Sequence, residues 1–114
     1  MDSSGFFDNK GCTLHEPAFN LHYFTNANFL QTTFVSADFT NAILIGSSFR
    51  DSNLTSSNFT NADLTNVNFT GTNLTGATSM DTASLTDVIW SNTTCPDGTN
   101  SDNNGNTCEG HLTP

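Results

Sequence analysis

The stretch Ala62-Asp63-Leu64-Thr65-Asn66-Val67-Asn68-Phe69-Thr70-Gly71 decides the fold. Leu64 and Phe69 stand five residues apart, and the spacing runs on in both directions. Every fifth residue from Leu14 to Leu74 is Phe or Leu, thirteen without a gap. An α-helix repeats at about 3.6 residues and a strand at about 2, so neither produces this period. A strict period of five requires a chain that turns a corner every five residues and sends one large side chain inward each time. Such a chain is a solenoid.

The residues around each large one fit that geometry. Two positions earlier the chain carries a small or β-branched residue, as at Ala27, Thr32, Ala37, Ala42, Ser47, Ser52, Ser57, Ala62, Val67 and Thr72. One position earlier it is often Asn or Asp, and one position later often Thr. Large and small residues at two-residue spacing point the same way on an extended step, and the polar residues between them point out. Asn, Asp, Ser and Gly supply the corners.

With Ala62-Asp63-Leu64-Thr65-Asn66 as the typical unit, the chain resembles the pentapeptide-repeat family over roughly Cys12 to Asn92. The resemblance implies an all-β fold, a right-handed quadrilateral β-helix with four pentapeptides per coil. Residues twenty apart then stack. At Ser79 and Ser84 the register fails, and a shift of one residue restores it with Met80, Leu85 and Trp90 as large residues and Thr78, Ala83 and Val88 as their small partners. A one-residue bulge is therefore expected in Gly76-Ala77-Thr78-Ser79. About four coils result, a rod roughly 20 Å long at the spacing of paired strands. Three segments follow: 1–11 as an N-terminal cap or disordered lead, 12–92 as the β-helix, and 93–114 as a C-terminal tail.

Composition agrees. The chain is 114 residues long, enough for one domain. Hydrophobic content is only 34%, yet there are ten Phe, and disordered chains are poor in aromatics. A narrow tube needs few apolar residues when each is fully buried.

The tail Trp90-Ser91-Asn92-Thr93-Thr94-Cys95-Pro96-Asp97-Gly98, followed by Cys108, resembles tails that come after pentapeptide repeats in exported proteins. A disulfide between Cys95 and Cys108 is expected. It closes a loop of about fourteen residues and stabilises by about 3 kcal/mol in the chain-entropy model. Cys12 is left over at a small inward position and reads as a buried thiol. The disulfide implies an oxidising compartment: periplasm, extracellular space or thylakoid lumen. The start Met1-Asp2-Ser3-Ser4-Gly5 is neither basic nor apolar, so a mature fragment or a piece of a longer chain is expected. With reduced cysteines the reading is cytoplasmic. No apolar run is long enough to span a membrane.

Candidate sites are few. Asn100-x-Asp102-x-Asn104-Gly105, with Asp97 nearby, has the oxygen spacing of the first half of a calcium loop, but His111 stands where a closing carboxylate belongs. The plainer reading is a turn-rich loop held by the disulfide. His15, His22 and Glu16 gather in the first coil, with His22 at a small inward position, and read as structural rather than as a metal site. No Ser-His-Asp arrangement or phosphate loop is present, so no catalytic residues are assigned and no enzyme is expected. Five Asn-x-Thr sequons, at Asn53, Asn58, Asn68, Asn73 and Asn92, arise largely from the repeat unit itself.

A formal net charge of −9, with two basic residues, argues against nucleic-acid binding, which needs Lys and Arg. The family resemblance offers an alternative, an acidic rod that imitates DNA and binds a DNA-processing enzyme such as gyrase. Acids in the repeats are sparse for that: Glu16, Asp38, Asp51, Asp63, Asp81 and Asp87, with Arg50 among them. A second lead is the set of apolar residues at outward slots, Leu21, Tyr23, Ile43 and Ile45. This is either a contact patch for a protein partner or the seat of the Phe6-Phe7 segment. The expectation is a non-catalytic structural or protein-interaction module, monomeric or a weak end-to-end or face-to-face dimer, with no cofactor beyond the calcium candidate.

Overall fold

The structure, a computed structural model, describes residues 11–114, and the Phe6-Phe7 segment lies outside them. The chain winds into a right-handed, four-sided β-helix of about four coils. β1 (Thr13–His15) and β2 (Thr33–Val35) are parallel neighbours on one side, in the register Leu14 to Phe34. Single-residue bridges continue the four sides. One column runs from Thr33 through Asn53 and Asn73 to Thr94, and the others run Ala18–Asp38–Asn58–Thr78, Tyr23–Ile43–Asp63–Ser84 and Asn28–Ser48–Asn68–Ile89. Residues twenty apart thus stack as the period requires, and the ladder carries on past Asn92.

Each corner has the same backbone. Every fifth residue from Gly11 to Gly76 has positive φ, between 54° and 75°. The four-residue turns close by hydrogen bonds such as Ala42 N–H to Phe39 O at 3.0 Å and Ala62 N–H to Phe59 O at 3.0 Å. A left-handed third residue is what this kind of turn demands, and Asn, Asp, Ser and Gly tolerate it.

The repeat unit is now legible as chemistry. Asn58 Oδ1 accepts from the Thr60 N–H and from the Thr60 hydroxyl, and Asp63, Asn68 and Asn73 do the same with Thr65, Thr70 and Thr75. The residues flanking each large side chain brace one another across it, which fixes the outward face. Inside, the small position takes a hydroxyl where it has a backbone partner. Ser52 donates to Phe29 O at 2.6 Å, and Thr72 to Phe49 O at 2.6 Å. Among the described residues no buried side-chain nitrogen or oxygen lacks a partner.

The core is a stack of rings and aliphatic groups. Phe29, Phe49, Phe69 and Trp90 form one column with centroids 4.7, 5.8 and 5.4 Å apart, and Phe39 stacks on Phe59 at 5.2 Å. Phe34, Phe39, Phe49, Phe59 and Phe69 are fully buried. Burial fades in the first coil, where no described coil lies before it. Leu14, expected inside, is 40% exposed.

One local expectation needs correction. The extra residue lies later than Gly76-Ala77-Thr78-Ser79 suggests. Thr78 still bridges Asn58 at a spacing of twenty, and the spacing becomes twenty-one at Asp63–Ser84. Between them Ser79, left-handed at φ 60°, caps a 3-10 turn over Met80–Thr82 that brings Met80 into the core. The small partner of Met80 is the buried Ala77, while Thr78 is exposed. His22 holds the small slot of the first coil, its N–H bonded to Phe19 O at 3.2 Å as Ala42 N–H is to Phe39 O, but it is not buried there. It is exposed, stacked on Phe24 at 5.7 Å, with Nδ1 2.9 Å from Asn20 O. Its column continues with the buried Ala42 and Ala62, a slot too small for imidazole.

Candidate functional site

The two ends of the tube differ, and the difference locates the candidate sites. At the C-terminal end the tail closes the edge. Thr93 is buried in the small slot and donates through Oγ1 to Phe69 O at 2.7 Å, continuing the repeat chemistry. Thr94 bridges Asn73 and Cys95 follows in the large slot, fully buried. The chain then doubles back. Thr94 meets Asn100 in an antiparallel bridge, Cys95 N–H donates to Thr99 O at 2.7 Å, and Ser101 N–H donates to Thr93 O at 2.8 Å. Ser101 Oγ accepts from Thr93 N–H at 3.0 Å, and Asp102 Oδ1 accepts from Asn92 N–H at 2.9 Å. Each of these groups stands where a fifth coil would stand, so the edge is capped rather than left open. The expected Cys95–Cys108 disulfide is present, with both cysteines fully buried and Leu112 packed against the core. Cys12 is the free cysteine, half-buried in the first coil.

Of the four residues read as calcium ligands, Asp97, Asn100 and Asp102 each turn a side-chain oxygen onto a partner within the chain. Asp97 Oδ1 accepts from the Thr99 N–H and hydroxyl at 3.0 and 2.6 Å, and its Oδ2 lies 2.6 Å from His111 Nδ1. These contacts, the Thr99 hydroxyl and N–H first and His111 after them, hold the Asp97 carboxyl down at about 2. Asn100 Oδ1 accepts from Asp102 N–H at 2.9 Å, an N-cap on the 3-10 turn Ser101–Asn103. Asn104 Nδ2 donates to Thr99 Oγ1 at 2.7 Å. Asn-x-Asp is thus a capping pair here, a reading the sequence allowed and the ligand spacing obscured. Among the described residues no three His, Cys, Asp or Glu side chains come together as a metal site.

At the N-terminal end the apolar residues singled out from the sequence share one region. Tyr23 and Ile43 are bridged neighbours in one column, Ile45 is half-buried two residues on, and Leu21 occupies the corner just before Tyr23. Tyr23 is 81% exposed and Leu21 67% exposed. Leu21 is also left-handed, at φ 62°, whereas Asn41 and Asn61 fill the corners twenty and forty residues on. His15 and Glu16 lie in the same coil, their side chains 3.9 Å apart at the surface. Below the patch the column turns polar and acidic, with Asp63 and Ser84. Among the described residues no helix is long and apolar enough to cross a membrane.

Comparison with known proteins places this geometry. No curated protein sequence matches the chain. Among solved structures, a pentapeptide repeat protein from the thylakoid lumen of Arabidopsis thaliana is 27% identical, with a TM-score of 0.77 over 92% of this chain and 76% of that one. HetL, a pentapeptide repeat protein involved in heterocyst differentiation regulation from Nostoc sp. strain PCC 7120, is 18% identical with a TM-score of 0.39, covering 81% of this chain and 52% of its own. Rfr23, a pentapeptide repeat protein from Cyanothece 51142, is 18% identical with a TM-score of 0.38, covering 80% and 87%. The family model for the pentapeptide repeat region matches residues 7–79. With its unbroken period of five, its left-handed corners and that match, the chain belongs to the pentapeptide repeat family.

Proposed function

We propose that this chain is a non-catalytic interaction module of an oxidising, exported compartment, a rigid β-helix that presents Leu21, Tyr23, Ile43 and Ile45 to a protein partner. The observation that carries the reading is Leu21. It sits left-handed at φ 62° and is 67% exposed. The left-handed conformation costs a residue with a Cβ roughly 1–2 kcal/mol, and Asn bears it more easily. Folding gains little from an exposed leucine at this corner, whereas a partner that covers it gains apolar burial. Tyr23 beside it offers a broad ring with a polar tip, a residue type common at binding hot spots. The disulfide cap, buried at the other end, supports the exported setting.

The test is capture from the native host with the wild-type chain and with a Tyr23→Ser, Ile43→Asp double variant, followed by titration of the captured protein. Association abolished in a variant that melts like the wild type supports the module. A variant that melts well below the wild type shows instead that the patch packs within this chain, and the reading fails.

A further inference from the structure

We propose that Asn104 is a modification site: its amide deamidates through the Gly105 backbone nitrogen once the disulfide-held cap opens, and the carboxylate left behind keeps the cap from seating again.

The sequence narrows the choice. An asparagine side chain cyclises most readily onto a following glycine, which has no Cβ to obstruct the approach. Asn104-Gly105 is the one Asn-Gly pair in the chain. Gly105 has φ 75°, and apart from its chain neighbours no heavy atom lies within 4 Å of where a Cβ would stand.

The structure gives this amide a task that a carboxylate cannot perform. Asn104 Nδ2 donates to Thr99 Oγ1 at 2.7 Å and lies 3.8 Å from Cys95 Sγ. The Thr99 hydroxyl has one proton and gives it to Asp97 Oδ1 at 2.6 Å. It can therefore only accept from residue 104, where a donor is required. Asp97 Oδ2 in turn lies 2.6 Å from His111 Nδ1. One line of contacts runs from Asn104 through Thr99 and Asp97 to His111, and joins the segment after Cys108 to the loop after Cys95. A carboxylate at position 104 faces the lone pairs of Thr99 and of the disulfide sulfur. It also stands one hydroxyl away from Asp97, whose carboxyl, held at about 2, is ionised at neutral pH. Asn104 is half-buried, and a charge placed there with no donor to meet it costs stability.

The seated cap holds the reaction off. Asn104 has ψ 30°, which turns the Gly105 nitrogen away from Asn104 Cβ, so ring closure requires this bond to rotate. Asn104 N–H and Asn106 N–H both donate to Ser101 O, at 3.0 and 2.9 Å, and fix the backbone on either side of it. Opening the cap frees the bond. The Gly105 nitrogen then attacks Asn104 Cγ, and the amide nitrogen leaves as ammonia with the proton that Gly105 gives up. The product is a succinimide. Water adds to one of its two carbonyls and opens the ring to aspartate or isoaspartate, with no oxidant or reductant consumed. Isoaspartate also lengthens the backbone by one methylene between the two N–H groups that share Ser101 O.

The experiment is incubation of the full chain at mildly alkaline pH, oxidised and with Cys95–Cys108 reduced, followed by mass-spectrometric mapping of residues 100–108. Conversion at Asn104 should run at least about tenfold faster in the reduced chain, because a seated cap reacts only through its open fraction. After reoxidation the converted chain should melt below the unconverted one, and an Asn104→Asp variant should do the same. In a Thr99→Val background, which removes the hydroxyl that needs a donor, the cost of Asn104→Asp should shrink. Equal rates with and without the disulfide overturn the proposal, and so does a reduced chain in which Asn104 stays an amide. An Asn104→Asp variant that melts with the wild type overturns it as well. Should that variant fail to fold, the rates on the wild-type chain still decide.

Discussion

Cys95 stands in the coil above Leu74, in the slot that Phe or Leu fills in the earlier coils, and its neighbour Thr94 accepts the Leu74 N–H at 2.8 Å. A cysteine is too small for that slot alone. Its bonded partner Cys108, also fully buried, supplies the remaining bulk. The disulfide therefore serves as the last core side chain and as the tie that holds the cap.

Replacing Cys95 or Cys108 by Ala should then lower stability by about 2–5 kcal/mol, as is typical for a native disulfide in a small domain. The double variant should cost little more than either single one, because the two cysteines act as a unit. Urea unfolding of the three variants measures this. Additive costs would mean that the two side chains contribute separately.

Leu21→Asn should stabilise the chain by about 1 kcal/mol, since Asn tolerates the left-handed corner. The same change should weaken partner binding. Thermal melting and a binding titration on one variant read both signs, and a loss of stability would show that Leu21 packs for the fold.

The Asp97 carboxyl titrates at about 2 in the folded chain, below its ordinary value near 3.8. A depressed folded value means that the contribution is fully present above the ordinary value and disappears as pH falls from about 4 toward 2. Melting of the wild type should therefore decline over that window more steeply than melting of Asp97→Asn. Parallel profiles would remove Asp97 from the cap.

Millimolar calcium should leave the melting temperature unchanged, because the oxygens of Asp97, Asn100 and Asp102 already accept hydrogen bonds within the tail. Gyrase supercoiling should likewise proceed unimpeded. Asp38 and Asp63 each turn one carboxylate oxygen back onto Thr40 or Thr65. The repeats hold only Glu16, Asp38, Asp51, Asp63, Asp81 and Asp87, with Arg50 among them, too few to trace a phosphate backbone that carries one charge per roughly 1.7 Å. A calcium-induced rise in melting temperature would restore the metal reading, and inhibited supercoiling would restore the DNA-mimic reading.

How much of this was legible in the sequence follows from which forces are periodic. Phe39, Phe49, Phe59 and Phe69 announced the core because each must fill an identical slot, and the stacking of Tyr23 on Ile43 came from the same arithmetic. The place of the extra residue did not, because Ala77 and Thr78 are both plausible small partners and only the 3-10 turn after Ser79 decides between them. His22 keeps the slot the period assigns it but stays exposed in the first coil, stacked on Phe24. The doubling back of the tail was hidden for a different reason. Ser101 meets Thr93 eight residues away, and no repeat predicts that spacing. Asn100-x-Asp102 is equally suited to a ligand loop or a helix cap until its backbone is known.

Amide hydrogen exchange tests the central claim, a square tube closed at its C-terminal end by the tail that Cys95–Cys108 holds. Phe39, Phe59, Thr93 and Cys95 should exchange slowly together. Fast exchange at Phe59 would contradict the tube, and fast exchange at Cys95 would contradict the cap.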